Sequence, residues 1–158
     1  MKVRLLHPDD LPIAAELLSQ LGYVVSTDEL AGRIDRVLAS GTHFAGVAED
    51  AGRIVGLVHA YERPALEKPY EAVVQALVVD ARARNAGTGR LLMAAAEAWA
   101  RAKGLANVVL HTRIDRDDAR AFYERIGYSR AATSHLMSKP LKAAPSGSPR
   151  SGSGTLRT

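Results

Sequence analysis

A strand, a glycine-containing turn and a helix follow one another in the middle of this chain, and they constrain its fold more than any other feature. Residues 71–79 are rich in valine and predict a strongly β-prone, buried strand. Gly87 and Gly89 lie in the turn after it, and an alanine-rich helix is predicted over residues 87–103. A strand that passes through a short turn into a helix is typical of α/β chains.

The elements on either side support the same class. Apolar residues recur at helical spacing after Pro8 and after Thr27, and again after Asp117, and a glycine ends each run. The period changes to that of strands elsewhere, with Gly52 in a hairpin turn. The resulting order is β-α-α-β-β-β-α-β-α-β-β on a mixed sheet, with strands predicted at residues 2–6, 43–49, 53–61, 71–79, 106–111, 128–130 and 133–139.

Length and composition indicate one globular domain. We expect this domain over residues 1–140 and a flexible tail, rich in Pro, Ser and Gly, over residues 141–158. The chain has no cysteine, which excludes disulfides, thiolate metal ligands and a cysteine nucleophile. The N-terminus does not resemble a signal peptide, and no segment approaches the roughly 20 apolar residues of a membrane span. We therefore expect a cytoplasmic protein.

The net charge of +4 does not indicate nucleic-acid binding. Lys142, Arg150 and Arg157 all fall in the acid-free tail, so the body of the chain is close to neutral. Nucleic-acid-binding domains concentrate basic residues on one folded surface. We expect neither a nucleic-acid nor a membrane partner, and a local basic cluster remains able to hold a small phosphorylated ligand.

The glycine turn indicates a phosphate site. A helix N-terminus exposes unpaired N–H groups and carries partial positive charge, and glycine lets a phosphate approach the main chain closely. The Thr88 hydroxyl is a further candidate donor, and Arg82, Arg84 and Arg90 surround the turn. The turn is not a P-loop, because no Lys follows the glycines, and it is not a dinucleotide fingerprint, because residue 92 is Leu. A tight strand-to-helix connection remains the alternative interpretation.

Two motifs give the chain a family resemblance. Residues 84–89, Arg-Asn-Ala-Gly-Thr-Gly, resemble the Arg/Gln-x-x-Gly-x-Gly/Ala signature of the GNAT acetyltransferases. Residues 119–128, Ala-Arg-Ala-Phe-Tyr-Glu-Arg-Ile-Gly-Tyr, are similar to the Ala-x-x-Phe-Tyr-x-x-x-Gly-Phe/Tyr motif of the same family. The two motifs occur in the family's order, and the resemblance covers roughly residues 1–140.

The resemblance implies a fold, a co-substrate and a set of contacts. The fold is a mixed, mostly antiparallel sheet of six or seven strands, flanked by helices, with the strands at 71–79 and 106–111 splayed apart. Acetyl-CoA is the implied co-substrate, with its pyrophosphate on the glycine turn, its pantetheine arm along the end of strand 71–79, and its acetyl carbonyl near a backbone N–H of that strand. The residues implied to bind it are Leu77, Val78, Val79, Arg84, Asn85, Ala86, Gly87, Thr88, Gly89, Arg90, Arg116 and Tyr123.

The resemblance also implies catalytic roles. Tyr123 matches the family tyrosine that protonates the departing thiolate, and a phenol is protonated at neutral pH. The general base in many relatives is a glutamate of the strand that here spans 71–79, which offers Glu71 and Gln75. Strand alternation predicts Glu71, Val73, Gln75, Leu77 and Val79 on one face. An amide is no base, so Gln75 argues against direct carboxylate catalysis and leaves Glu71 acting through water.

Histidines provide other candidates for the general base. The region before the second motif also departs from the family pattern at one position. His59 and His111 have a suitable pKa for proton transfer, although a lone histidine is more often structural. The five histidines show no metal-ligand spacing, so we expect no metal site. Many relatives carry Asn where this chain has Arg116, which can contact a phosphate or the substrate or face solvent. Asp117 and Asp118 are explained as helix caps.

The predicted function is transfer of an acetyl group from acetyl-CoA to a primary amine by direct attack. We expect a small amine as acceptor, since the chain has no obvious peptide-docking insertion. Three alternatives stay open: a non-catalytic acyl-CoA-binding sensor or interaction module, an acetyltransferase acting on protein N-termini or lysines, and a turn that binds another nucleotide. A homodimer is common in the family and is an expected assembly.

Overall fold

A single five-stranded sheet is the centre of the molecule in a computed structural model, which describes residues 1–141. The strand order is β1-β2-β3-β4-β5, with neighbours in sequence also neighbours in the sheet. β1 to β4 are antiparallel, and β5 runs parallel to β4. The strands are β1 (Lys2–Leu5), β2 (His43–Asp50), β3 (Arg53–Arg63), β4 (Glu71–Val79) and β5 (Asn107–Leu110). The predicted fold class, α/β with a mixed and mostly antiparallel sheet, is confirmed.

Four α-helices within residues 1–141 flank this sheet. They are α1 (Leu11–Ser19), α2 (Thr27–Ala39), α3 (Thr88–Ala102) and α4 (Asp117–Arg125), with short 3-10 helices at Pro8–Asp10 and Ala81–Ala83. α2 begins where the sequence supplies a capping box, in which Ser26 and Glu29 satisfy each other's backbone N–H groups. Among residues 1–141, no helix is both long enough and apolar enough to cross a membrane.

The two faces of the sheet carry separate cores. On one face, Leu17 of α1 and Ile34 of α2 pack against Val47 and Leu57. On the other, α3 buries a face formed by Leu92, Met93, Ala96 and Ala100, and residues of α4 pack beside it. Burial of these side chains stabilises each layer by roughly 1.5–3 kcal/mol per large residue. α1 and α2 thus cover one side of the sheet, and α3 and α4 the other.

Gly56 on β3 lets α3 approach the sheet. A Cβ built at this glycine lies 2.9 Å from the Val78 carbonyl oxygen, 2.9 Å from Leu92 and 3.2 Å from Thr88. These distances are too short for a methyl group, and the carbonyl oxygen belongs to the rigid sheet. The absent side chain therefore lets the first turn of α3 sit directly on β3 and β4.

Gly56→Ala is expected to lower the free energy of unfolding by about 2 kcal/mol, because the new methyl group is overpacked against the sheet. Urea unfolding monitored by circular dichroism measures the change. Gly32→Ala in α2 is the matched control: nothing lies within 4 Å of its added Cβ, so it is expected to stabilise the protein by up to about 1 kcal/mol. Equal stability of Gly56→Ala and the wild type would show that α3 does not need this close approach.

The predicted closing strands are absent from the described chain, so the expected count of six or seven strands is wrong. Residues 128–130 and 133–139 form no ladder, and residues 129–141 are exposed, including Leu136 and Met137. The physical reason is the lack of burial: an isolated hairpin is marginal in water, and these residues pack no face against the core. The predicted tail, apart from Leu141, lies outside the described residues.

Candidate functional site

The pairing of β4 with β5 ends half-way along β4. The parallel ladder joins Glu71–Val74 to residues 107–110 and ends with the pair Val74 and Leu110. β4 continues to Val79 with only β3 beside it, so its other edge is open from Gln75 onward. The predicted splay of these two strands is confirmed. An open strand edge presents main-chain N–H and C=O groups that an extended ligand can pair with.

A β-bulge lies at the point where the two strands separate. His59 of β3 is opposite Ala76, and Ala60 is opposite Val74, so Gln75 is an extra residue without a partner on β3. A bulge leaves one residue outside the ladder and re-aims the side chains around it, and such bulges often lie beside active sites. The regular ladder of β4 with β3 is therefore interrupted at Gln75, directly after the residue at which its ladder with β5 ends.

Because of the bulge, the side chains along β4 do not alternate as the sequence predicts. Val74, Leu77 and Val79 all pack in the core beneath α3, although strict alternation would put Val74 on the opposite face from the other two. The predicted common face for Glu71, Val73, Gln75, Leu77 and Val79 is therefore wrong. Gln75 lies on the α1/α2 face with Glu71, whereas Leu77 and Val79 lie on the α3 face.

The turn after β4 is fixed by a buried aspartate. Asp80 accepts hydrogen bonds from the Arg82 main-chain N–H at 3.0 Å and from its guanidinium at 3.0 and 3.2 Å. Asp80 is 4% exposed, and its pKa is lowered, mainly by the Arg82 side chain. The Asp80 N–H donates to Val55 of β3. This aspartate thus anchors the glycine turn to the sheet and engages Arg82. Arg84 and Arg90 are then the exposed cations of the turn that form no ion pair within residues 1–141.

The first turn of α3 presents its N–H groups beside open space. Gly87 is the N-cap in the left-handed region, with φ of 82°, and Asn85 is also left-handed, with φ of 63°. Leu91 makes the first helical hydrogen bond back to Gly87 at 3.0 Å. The N–H groups of residues 88–90 therefore have no acceptor within the helix. Nothing lies within 4 Å of a Cβ built on Gly87, so the space above this cap is open to a ligand.

Two residues of the turn have roles that the sequence did not reveal. Thr88 is 1% exposed, and its hydroxyl is directed to the Ala83 carbonyl oxygen at 3.5 Å. This hydroxyl therefore lies inside the protein, whereas the main-chain N–H of Thr88 belongs to the first turn of α3. A Cβ on Gly89 would lie 3.1 Å from the Phe122 ring. Gly89 thus lets the Phe122 ring of α4 lie close to the first turn of α3.

Tyr123 lies on the α3 side of the gap. It is half-buried in the same core as Leu77 and Val79 and packs edge-on against Phe122 at 5.1 Å. Burial raises the pKa of its hydroxyl, and the nearby charge of Arg116 acts in the opposite direction. Tyr123 therefore holds its proton at neutral pH, as an acid must before it donates. Arg116 is exposed and hydrogen-bonds to Asp118 at 3.1 Å.

Glu71 is poorly placed to act as a base. Its carboxylate is 2.6 Å from Arg63 and 2.7 Å from Lys68, in the ladder region below the gap. Both cations lower its pKa, Lys68 most strongly. A carboxylate whose charge is stabilised in this way has little affinity for a proton. Gln75 does lie at the gap, exposed, but an amide cannot accept a proton at neutral pH.

The two candidate histidines lie in different settings. His111 follows β5 and is exposed. His59 is partly buried on the α1/α2 face, and burial, with a smaller effect of His43, lowers its pKa from 6.5 to about 4.

Three residues at or near the site were not singled out from the sequence. His43 was missed because its contact with His59 joins two different strands. Gly56 and Asp80 were missed as well, although an Asp directly after a buried strand is a usable signal for a turn anchor.

A model of the acetyltransferase (GNAT) family matches residues 13–128, which is most of the chain. The match includes the open edge of β4, the glycine turn and Tyr123. The chain belongs to the GNAT acetyltransferase family. It is similar to the uncharacterized N-acetyltransferase YhdJ of Bacillus subtilis (strain 168), with 27% identity over 134 residues, covering 84% of this chain and 90% of that protein.

Two solved acetyltransferase structures show a similar architecture. An acetyltransferase of Trypanosoma brucei is 28% identical, with a TM-score of 0.71 over 89% of this chain and 99% of its own. Aminoglycoside N-acetyltransferase AAC(6')-Iy, in complex with the bisubstrate analogue CoA-S-monomethyl-acetylneamine, is 17% identical, with a TM-score of 0.80 over 89% and 98% of the two chains. At 17% identity, the second likeness shows the fold alone.

Proposed function

We propose that this GNAT protein transfers the acetyl group of acetyl-CoA to a primary amine. The observation that carries the proposal is the continuity of three features: the open edge of β4 from Gln75 to Val79, the left-handed Gly87 cap, and the free N–H groups that begin α3. This path can pair with an extended amide-containing arm and then hold a diphosphate. The AAC(6')-Iy complex with a CoA analogue supports the same ligand class.

The residues of the turn fit a CoA ligand. The main-chain N–H groups of residues 88–90 and the exposed guanidinium groups of Arg84 and Arg90 would hold its phosphates. The open edge at Leu77 and Val79 would pair with its pantetheine arm. When bound, acetyl-CoA supplies a thioester whose acetyl group an amine can accept directly. The chain has no cysteine to form a covalent intermediate.

The chain's own groups would have three tasks in this reaction. Main-chain N–H groups of β4 around the bulge at Gln75 would stabilise negative charge on the acetyl oxygen. Tyr123 would donate its proton to the departing sulfur from the α3 side. The amine acceptor would enter from the other side, where the α1/α2 face of β3 and β4 is lined by polar side chains.

A small amine is the proposed acceptor. Incubation with acetyl-CoA and a panel containing spermidine, kanamycin, glucosamine, lysine and a lysine-containing peptide is expected to release free CoA thiol with at least one small amine. A thiol-reactive chromophore measures the release, and mass spectrometry identifies the product. Faster release with the peptide than with every small amine would favour a protein acetyltransferase instead.

A non-catalytic acyl-CoA sensor is the second candidate, and one observation favours it. Neither position predicted to supply a base on β4 does so, since residue 75 is Gln and Glu71 is neutralised by two cations. A sensor would bind CoA tightly by calorimetry and release no thiol with any amine of the panel. An acetyltransferase would do both.

A further inference from the structure

His43 and His59 form a hydrogen-bonded pair on the acceptor side of the sheet. His43 Nδ1 lies 2.9 Å from His59 Nε2, and the two rings are nearly parallel, with centroids 5.2 Å apart and an angle of 11° between their planes. A direct ring-to-ring hydrogen bond needs one nitrogen protonated and the other bare, so the pair shares one proton. Such a bond can pass a proton from one imidazole to the other.

The pair lies beside the bulge. His59 is the β3 residue directly opposite Ala76, the neighbour of Gln75. Strand alternation puts His59 on the face of Leu57, which packs against α1 and α2, and Tyr123 packs in the core on the opposite face. His59 and Tyr123 therefore lie on opposite faces of the sheet, with His59 one strand away from the gap. A direct transfer needs one group that takes a proton from the attacking amine and another that gives a proton to the departing thiolate, and the two faces keep these groups apart.

The surroundings of His59 keep it neutral without a permanent counter-ion. Burial and His43 lower its pKa to about 4, and His43 is the one charge-bearing group in the described chain that shifts it. Tyr61, with its ring 6.4 Å away, is the neighbour on β3. Farther along the same face, Arg63 and Lys68 are engaged by Glu71. At neutral pH, His59 is thus a neutral imidazole, with one ring nitrogen protonated and the other able to accept a proton.

We propose that His59 accepts the proton that the ammonium form of the acceptor must lose, and that His43 relays it to solvent. Nδ1 of His59 takes the proton from the substrate nitrogen, while the Nε2 proton of His59 passes to Nδ1 of His43. His43 becomes an imidazolium and releases a proton to water, and exchange with solvent restores the starting tautomer of His59. The relay explains how a ring that cannot hold charge still removes a proton. This inference rests on the proposed acetyl transfer.

Nuclear magnetic resonance of the imidazole nitrogens tests the pair without any substrate. We expect His59 to stay neutral from about pH 8 to about pH 5 and its nitrogen shifts to change in the His43→Gln variant. Independent titration of both rings near the usual histidine pKa would show that they share no proton, and would overturn the proposal.

Kinetics tests the role in proton removal. With the best amine of the panel, His59→Gln is expected to lower kcat/KM near pH 7 about 100-fold, with CoA affinity unchanged by calorimetry. The loss should shrink at higher pH, and it should be much smaller for 2,2,2-trifluoroethylamine, which is already neutral near pH 7. His135→Gln, an exposed histidine of residues 129–141, is the matched control. An equal loss for both amines would indicate a structural role and would contradict the proposal.

The same kinetic experiments distinguish failure of the His59 relay from failure of the proposed acetyl transfer. A larger loss in His111→Gln or Glu71→Gln than in His59→Gln would move the proton acceptor to that residue and overturn the inference. Full activity of His59→Gln at all pH values would overturn this inference and leave acetyl transfer intact. Absence of thiol release by the wild type with every amine would overturn the proposed function, and the relay with it.

Discussion

Gly87→Glu is expected to weaken CoA binding at least about 100-fold, a loss of about 2.7 kcal/mol. A side chain at residue 87 would enter the open space above the helix cap, where nothing lies within 4 Å of the added Cβ. Its carboxylate would bring negative charge to the N–H groups that we propose hold the pyrophosphate. Calorimetric titration with CoA measures the loss.

The control for this variant is Gly104→Glu at the other end of α3. Gly104 also has a positive φ, 70° against 82° for Gly87, and nothing lies within 4 Å of its added Cβ. Both variants add the same side chain to a left-handed position, so each is expected to lose roughly 1–2 kcal/mol of stability. Only Gly87→Glu should lose CoA binding. Equal CoA affinity in the two variants would contradict the proposed phosphate site.

Tyr123→Phe is expected to lower kcat about 100-fold and to leave the Kd for acetyl-CoA within about two-fold. The ring stays, so its packing against Phe122 at 5.1 Å is retained and only the hydroxyl proton is lost. An effect on kcat without an effect on binding is the sign of a group that acts on the reacting atoms. Steady-state kinetics and calorimetry measure the two quantities.

Tyr128→Phe is the matched control for Tyr123→Phe. The Tyr128 ring lies 6.0 Å from that of Tyr123, and its hydroxyl donates to Glu97 at 3.0 Å. Loss of this hydrogen bond should cost about 1 kcal/mol of stability and leave kcat nearly unchanged. If both variants lose turnover equally, the effect belongs to the aromatic packing and Tyr123 is not the acid.

Local signals in the sequence predicted most of the fold. The helix start at Thr27, the hairpin turn at Gly52 and the switch from strand to helix at Gly87 each depend on neighbouring residues. Such signals can be recognised in the sequence because they need no distant partner. The prediction of closing strands at 128–130 and 133–139 was wrong for the opposite reason. A strand requires a partner edge and burial, and a local pattern does not guarantee either.

Long-range contacts account for what the sequence did not predict in the site. The bulge at Gln75 reverses the alternation of β4, and it is defined by register with β3 rather than by any single residue. Thr88 turns its hydroxyl inward because Gly56 lets α3 sit on the sheet. The His43 and His59 contact joins two strands across 16 positions of sequence. Each of these features appears only after the strands are paired.

The proposed cofactor site depends most on the N–H groups that begin α3, and a crystal structure with bound CoA tests them directly. We expect pyrophosphate oxygens at about 2.9 Å from the main-chain nitrogens of residues 88–90 and the pantetheine arm beside the open edge of β4. Density for CoA elsewhere on the molecule, with the first turn of α3 empty at saturating ligand, would contradict the account.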